Sequence, residues 1–250
     1  MNAQSTSPWP NACRGAVSLT FDDGRPSQLA RAVPLLNEMG LQGTFYVNPK
    51  GDQWLADLAP WREVAAAGHE VGNHTVNHPF GKALQDDPTI MCLERMTLAD
   101  IEAEIVEATR RLHEGIPAQQ EFSYCYPCYL DHVGEGLTRQ SYVPVVARHF
   151  VAGRGRGEFG HNHAATCDLA YLYSWNAEFL TGATLVGMAE QAAALGRWVI
   201  FTMHGINDGT LPISEMALRE LCAFLTRHRD TIWVAPVVTV AKRIADWRKQ

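Results

Sequence analysis

The sequence predicts an α/β fold of parallel strands joined by helices, and three observations support this prediction. Short β-rich runs alternate with helical stretches about seven times along the chain, the alternation typical of a barrel or a doubly wound sheet. With 250 residues and 46% hydrophobic content, the chain can bury a large core as one domain. The chemically reactive side chains follow predicted strands, at the rim where barrel enzymes build their sites. We therefore expect a single domain over residues 1–250, with 1–14 as an N-terminal extension.

The first half of the chain contains three strand signals and three helix signals. Residues 28–39 carry apolar side chains at helical spacing and end at Gly40. In the clearest helix, Thr97 is a candidate N-cap with Asp100 three residues later. The predicted strands are 17–21, 43–47 and 70–71, and the predicted helices are 28–39, 55–67 and 98–113.

The second half continues the alternation, interrupted by a loop rich in Gly and Arg over 153–163. The order repeats strand then helix, which favours parallel strands with helical crossovers. The predicted strands are 122–126, 143–147, 171–175, 198–203 and 231–235, and the predicted helices are 185–195, 214–227 and 237–248.

Charge and composition exclude several classes of protein. The net charge is -6 with a pI near 5.9, and the densest basic cluster, 148–156, is interleaved with glycines, so a nucleic-acid partner is not expected. No window approaches the roughly 20 apolar residues of a membrane span. Residues 1–7 lack the features of a signal peptide, which leaves both an exported and a cytoplasmic form open. The six cysteines do not form a disulfide scaffold, and Cys125-x-x-Cys128 alone is a weak zinc or redox signal.

Two adjacent carboxylates, Asp22 and Asp23, follow the first predicted strand. Neighbouring ionised carboxylates repel each other unless a cation or a shared proton intervenes. About fifty positions later, His74 and His78 stand at metal-ligand spacing, and one Asp with two His forms a metal site with an open position. The alternative is purely structural: the Asp pair forms a turn, and the histidines cap a loop before Pro79.

The run Thr20–Gly24 and the run His74–His78 resemble the metal-dependent polysaccharide deacetylases, the NodB-homology group or carbohydrate esterase family 4. The resemblance extends over about 16–244. It implies a distorted (β/α) barrel of about seven parallel strands, with Asp23, His74 and His78 binding a divalent metal, usually Zn²⁺ with Co²⁺ or Ni²⁺ as alternatives. It implies that Asp22 is the catalytic base. Chemistry agrees, since such a metal polarises an acetyl carbonyl and acidifies water beside a carboxylate.

His204 follows the predicted strand 198–203, where the family has a histidine that protonates the leaving group. Without that context, a lone His after a strand is more often structural. A neighbouring carboxylate that raised its pKa would suit an acid, but the sequence does not identify one. Thr202, where the family usually has leucine, needs a polar partner if it is buried.

The chain departs from the family pattern at the residues that hold the base. Most members carry an Arg that orients the catalytic Asp and an acidic partner for that Arg. Alignment on Pro127 puts Cys125 at the Arg position, and Ser174 stands where the acidic residue is expected. Because both the Arg and its acidic partner are absent, no buried charge is left unpaired. We therefore interpret the change as a different set of contacts around the base in an active enzyme. The backbone N–H of Cys128 remains a candidate oxyanion donor.

Further substrate contacts are predicted from aromatic and loop positions. Tyr126 and Trp175 end predicted strands, Tyr129 follows one, and all three are candidate oxyanion or substrate contacts, whereas Trp61 fits a core or interface position. His161 to His163 could supply further metal ligands, but they are expected on a mobile rim, as a lid or a substrate contact. Residues 79–97 have the length of a specificity loop.

The sequence thus favours removal of acetyl groups from an N- or O-acetylated carbohydrate. Two alternatives remain open. One is hydrolysis of a small non-sugar amide, such as a cyclic imide or ureide. The other is a catalytically idle carbohydrate-binding protein that retains the metal.

Overall fold

A nine-stranded sheet, almost entirely parallel, forms the centre of the computed structural model, which describes residues 7–84, 87, 89–156 and 160–250. The strands are β1 Gly15–Phe21, β2 Thr44–Val47, β3 Glu70–Asn73, β4 Tyr124–Cys125, β5 His132–Val133, β6 Gln140–Ser141, β7 Gly153–Arg154, β8 His161–Asn162, β9 Trp175–Asn176, β10 Trp198–Met203, β11 Gly205–Ile206, β12 Pro212–Ile213 and β13 Ile232–Val234. The α-helices are α1 Val33–Glu38, α2 Trp54–Asp57, α3 Ala59–Ala66, α4 Leu98–Gly115, α5 Val143–His149, α6 Gly182–Ala194, α7 Glu215–Arg227 and α8 Val237–Trp247. A π-helical turn covers Gln28–Ala32, and 3₁₀ turns cover Leu93–Arg95, Pro127–Tyr129 and Gly136–Thr138.

The strand order places the longest strands at the middle of the sheet. It runs β7-β4-β3-β2-β1-β10-β8, with β13 also paired to β1 and β9 to β10. Only β8 is antiparallel to its neighbour within this sheet of the described residues. Phe21 of β1 lies beside Met203 of β10, so the residues that follow each strand emerge side by side. This register brings Asp22 and His204 to the same carboxyl edge of the sheet.

Buried apolar side chains cover both faces of the central strands. Every residue of β1 and β10 is buried, as expected for strands with helices packed on each side. Trp61 of α3 is 4% exposed and packs in the main core, as predicted. In α4, Thr97 and Asp100 form the predicted capping box, which satisfies backbone N–H groups at the first turn.

Several segments differ from the prediction. Residues 143–147, predicted as a strand from their valines, form α5, because Pro144 stands in the first turn, where its fixed φ favours a helix. The expected loop 153–163 instead contributes β7 and β8 to the sheet. The predicted helix 55–67 is divided into α2 and α3 at Leu58.

The described part of the N-terminal extension packs on the body of the protein. Trp9 is buried, and its indole N–H donates to the carbonyl of Gly196. None of the helices in the described part of the chain has both the length and the apolar character that a membrane span requires.

Candidate active site

The residues predicted to carry chemistry meet at the carboxyl edge of the parallel sheet. Asp22 and Asp23 follow β1, His74 follows β3 and His204 follows β10. Several backbone positions there have positive φ, including Asp23 at 73° and His78 at 49°. Non-glycine residues seldom adopt this conformation, and such strain is concentrated at functional sites.

Asp23, His74 and His78 form a compact cluster of potential metal ligands. Oδ1 of Asp23 lies 3.6 Å from Nε2 of His74 and 3.7 Å from Nε2 of His78. Their ligand atoms all lie within 4.8 Å of one another. One carboxylate oxygen and two imidazole nitrogens are ligands that suit Zn²⁺ and similar ions. The donor set therefore fits the metal that the sequence predicts.

Neighbouring groups orient two of these three side chains, Asp23 and His74. Arg25 donates to Oδ2 of Asp23 at 3.1 Å, which leaves Oδ1 facing the imidazoles. Nδ1 of His74 lies 2.9 Å from the carbonyl of Cys125, so Nδ1–H donates there and the Nε2 lone pair stays free. Burial lowers the pKa of His78 to about 4, so this imidazole is neutral at pH 7 and able to bind a cation.

A second group of potential ligands overlaps the first. Asp22, His74 and Cys125 are all buried, and Sγ of Cys125 lies 3.7 Å from Asp22 Oδ2 and 3.9 Å from His74 Nε2. This group shares Nε2 of His74 with the first cluster. Nη2 of Arg154 lies 2.7 Å from the Cys125 sulfur, and this buried positive charge opposes a metal ion at the second group.

Arg154 is a residue of this site that the sequence analysis did not identify. Its Nη2 lies 2.5 Å from both carboxylate oxygens of Asp22, and both side chains are buried. Burial raises the pKa of Asp22, but Arg154, His204 and His74 outweigh it and lower the pKa overall. A signal was present in the sequence, because Gly153 and Gly155 flank Arg154, and both glycines are closely packed. A Cβ on Gly153 would lie 2.4 Å from the carbonyl of Ala170.

The other side of Arg154 is held by hydroxyl groups. Its Nη1 donates to Oγ1 of Thr202 at 2.8 Å, and Ser174 accepts a hydrogen bond from Thr202 at 2.9 Å. Thr202 thus has the polar partner that its burial requires. Ser174, at the position where an acidic residue was expected, belongs to the same network.

Glu178 is the carboxylate beside His204. Its Oε1 lies 2.6 Å from Nδ1 of His204, and Nε2 of His204 lies 3.9 Å from Asp22 Oδ2. Burial lowers the pKa of His204, but the hydrogen bond with Glu178 and the charge of Asp22 raise it overall. The sequence pattern did not identify Glu178, because this residue lies in an irregular segment after β9.

Glu178, the partner of His204, is part of the wall of a cavity of about 1040 Å³. Cys128, Tyr129 and Trp175, three of the predicted oxyanion or substrate contacts, also line it. Tyr126 does not, because its ring is fully buried and its hydroxyl donates to the carbonyl of Ala170. The predicted substrate contact of the Tyr126 side chain therefore does not fit the structure.

The predicted lid is also placed differently. His161 and Asn162 form β8 and pair with β10, so they are held in the sheet. Asn162 is buried and donates to the carbonyl of Tyr173, whereas His161 lines the cavity. Of the predicted specificity loop 79–97, residues 85, 86 and 88 lie outside the described residues, and Phe80 forms a β-bridge with Cys92.

Comparison with known proteins agrees with this geometry. A family model described as polysaccharide deacetylase matches residues 10–139, just over half of the chain. A chitin deacetylase from Arthroderma benhamiae is 29% identical over 135 residues, which cover 53% of this chain and 34% of that protein. The chain thus spans about a third of the length of this curated relative.

Solved structures show the same fold. A protein from Mycobacterium smegmatis assigned to the polysaccharide deacetylases superposes with a TM-score of 0.68 at 18% identity, covering 98% of this chain and 95% of that one. A pseudoenzyme of carbohydrate esterase family 4 from Bacillus anthracis superposes with a TM-score of 0.56 at 14% identity. The match covers 90% of this chain and 65% of that one. The predicted distorted (β/α) barrel is confirmed by these likenesses and by the mostly parallel sheet.

Proposed function

Because the chain belongs to the polysaccharide deacetylase family, we propose that it is a metal-dependent hydrolase that removes acetyl groups from an N- or O-acetylated carbohydrate. The observation that carries this proposal is the pairing of the Asp23, His74 and His78 cluster with a separate carboxylate, Asp22, held by Arg154. A zinc or similar ion bound by the cluster supplies a Lewis acid that polarises the acetyl carbonyl and makes water more acidic.

Asp22 is the proposed base. It is buried, its pKa is lowered overall, and it is therefore ionised and able to accept a proton at neutral pH. Because Arg25 and the imidazoles engage Asp23, the two adjacent carboxylates have different tasks. Asp23 is the proposed metal ligand, and Asp22 takes the proton from the attacking water.

His204 is the proposed general acid. The raised pKa favours its protonated form, which is able to donate a proton from Nε2 to the departing amine or alcohol. Glu178 at Nδ1 orients the ring and stabilises the imidazolium. The backbone N–H of Cys128 stays a proposed oxyanion donor, and Tyr129 and Trp175 are proposed walls for the sugar ring.

Acetate release and metal content, measured on the same preparations, test this function. We expect acetate from at least one substrate in a panel of chitooligosaccharides, acetylated xylan and cyclic imides, with release of amine or alcohol in equal amount. A chelator should stop the reaction, and added Zn²⁺ or Co²⁺ should restore it. H74A should lose both bound metal and activity, whereas H228A, a matched change at an exposed histidine, should retain both.

Two alternative outcomes are informative. Turnover of an imide or ureide without acetate release would establish a non-sugar amidase on the same site. Binding of metal and glycan without turnover of any substrate would establish an idle binding protein, and one of the structural relatives is a pseudoenzyme. The ionised and buried Asp22 favours an active enzyme.

A further inference from the structure

The arginine beside the proposed base comes from a different strand than the family pattern predicts. Arg154 lies in β7, and it is directly paired in register with Cys125 of β4. Cys125 occupies the position where the pattern expects the arginine. A side chain from the neighbouring strand therefore reaches the place that a long side chain at position 125 would fill.

The two positions depend on each other sterically. The sulfur of Cys125 lies 2.7 Å from Nη2 of Arg154 and 3.7 Å from the Asp22 carboxylate, so the two side chains meet at the same point. A small residue at position 125 leaves the space that the guanidinium occupies. The rings of Tyr46 and Tyr129 lie 5.2 Å and 5.6 Å from the guanidinium carbon and restrict its position further.

The charge balance around Arg154 also differs from the family pattern, in which the arginine has an acidic partner besides the catalytic Asp. Among the described residues, Asp22 is the carboxylate that Arg154 contacts, and its other polar contacts are uncharged: the hydroxyls of Thr202 and Ser174 and the sulfur of Cys125. Arg154 is the only lysine or arginine in the described part of the chain that is buried. The result is a buried one-to-one ion pair, in which loss of either partner leaves an uncompensated charge.

We propose that Arg154 positions Asp22 for proton transfer, as a replacement from β7 for the arginine that the family pattern places at position 125. This inference rests on the proposed function for its effect on turnover. The ion pair itself is independent of that function. Arg154 acts through Asp22, so it is a positioning residue.

Steady-state kinetics of R154M and R154K test the positioning role. A displaced base lowers turnover by about 100-fold, so we expect kcat to fall by that factor in R154M. KM should change by less than about threefold, because Arg154 is not among the residues that line the cavity. R154K retains the charge and should lie between R154M and the wild type. R148M, which removes an exposed arginine paired with Glu102, should keep wild-type turnover and serves as the matched control.

A wild-type kcat in folded R154M would overturn the proposal, and so would an R154K variant no more active than R154M. A double-mutant cycle of D22N and R154M, followed by thermal unfolding, gives a readout that needs no activity. We expect the double variant to unfold at a higher temperature than R154M alone, because no unpaired buried charge remains. If the losses in unfolding temperature of the two single variants simply add in the double variant, the proposed ion pair is overturned. If the wild type hydrolyses no substrate, the proposed function fails, and this cycle still tests the ion pair.

Discussion

Asp22 and Glu70 are equally buried carboxyl groups at opposite ends of the sheet. Asp22 follows the carboxyl end of β1 and is 2% exposed, whereas Glu70 begins β3 and is 3% exposed. Asp22 is paired with a guanidinium. Glu70 accepts hydrogen bonds from neutral donors, the backbone N–H groups of Ser123 and Val238 and the hydroxyls of Ser123 and Thr44.

The two environments shift the pKa in opposite directions. Burial raises the pKa of Glu70, and its neutral donors do not fully offset that effect. Burial acts in the same direction on Asp22, but the charge of Arg154 and the nearby histidines reverses it. Burial alone therefore does not determine the state of a carboxyl group. In this barrel the carboxyl group paired with a charge is at the edge where sites are built, and the carboxyl group held by uncharged donors is at the end that serves stability.

The largest expected effect is that of D22N on turnover. The substitution removes the proposed base, and general-base catalysis contributes about 10²- to 10⁴-fold, so kcat should fall by at least 100-fold. Bound metal should remain, because Asp23, His74 and His78 are unchanged. Acetate assays and metal analysis of the purified variant check this, with D57N at an exposed position as the control. Near-wild-type turnover in D22N would remove the base assignment.

The next effect is a shift of the pH profile in E178Q. The acid His204 must be protonated, so the rate falls as the pH rises through its pKa. Glu178 helps to raise that pKa, and its neutralisation lowers it. We predict that the alkaline limb of kcat moves to lower pH in E178Q. An alkaline limb at the wild-type position would show that Glu178 does not control the acid.

The smallest effect on activity belongs to E70Q. Glu70 accepts all four of its hydrogen bonds. In E70Q the side-chain NH₂ would therefore point at one or more N–H or O–H donors and could not accept from them. We expect a loss of about 1–3 kcal/mol in the free energy of unfolding. Turnover per folded molecule should change by less than about twofold, since no predicted site residue contacts Glu70. Denaturant unfolding and kinetics on one sample measure both, and a large loss of turnover with unchanged stability would invalidate the comparison.

The sequence predicted the alternation of strands and helices and the meeting of Asp22, Asp23, His74 and His204, because these residues directly follow strands with clear patterns. It did not predict Arg154 at the base, because that contact depends on the pairing of β4 with β7, two strands of two residues each. Glu178 was missed for a similar reason, since it lies in an irregular segment.

Tyr126 shows the converse limit of sequence reasoning. Its position at the end of a strand agreed with a site residue, but its side chain is fully buried. The ring packs among Tyr124, Tyr142 and Tyr171. Local sequence does not encode that choice between core and cavity.

The central claim is that Asp23 binds the metal while Asp22 stays free as the base. X-ray absorption at the zinc edge of the zinc-loaded protein tests it directly. Of the two overlapping ligand groups, the one with Asp22 contains the sulfur of Cys125, and the one with Asp23 contains no sulfur. We predict nitrogen and oxygen ligands only, at about 2.0–2.2 Å. A zinc–sulfur distance of about 2.3 Å would place Cys125 on the metal and contradict this division between the two carboxylates.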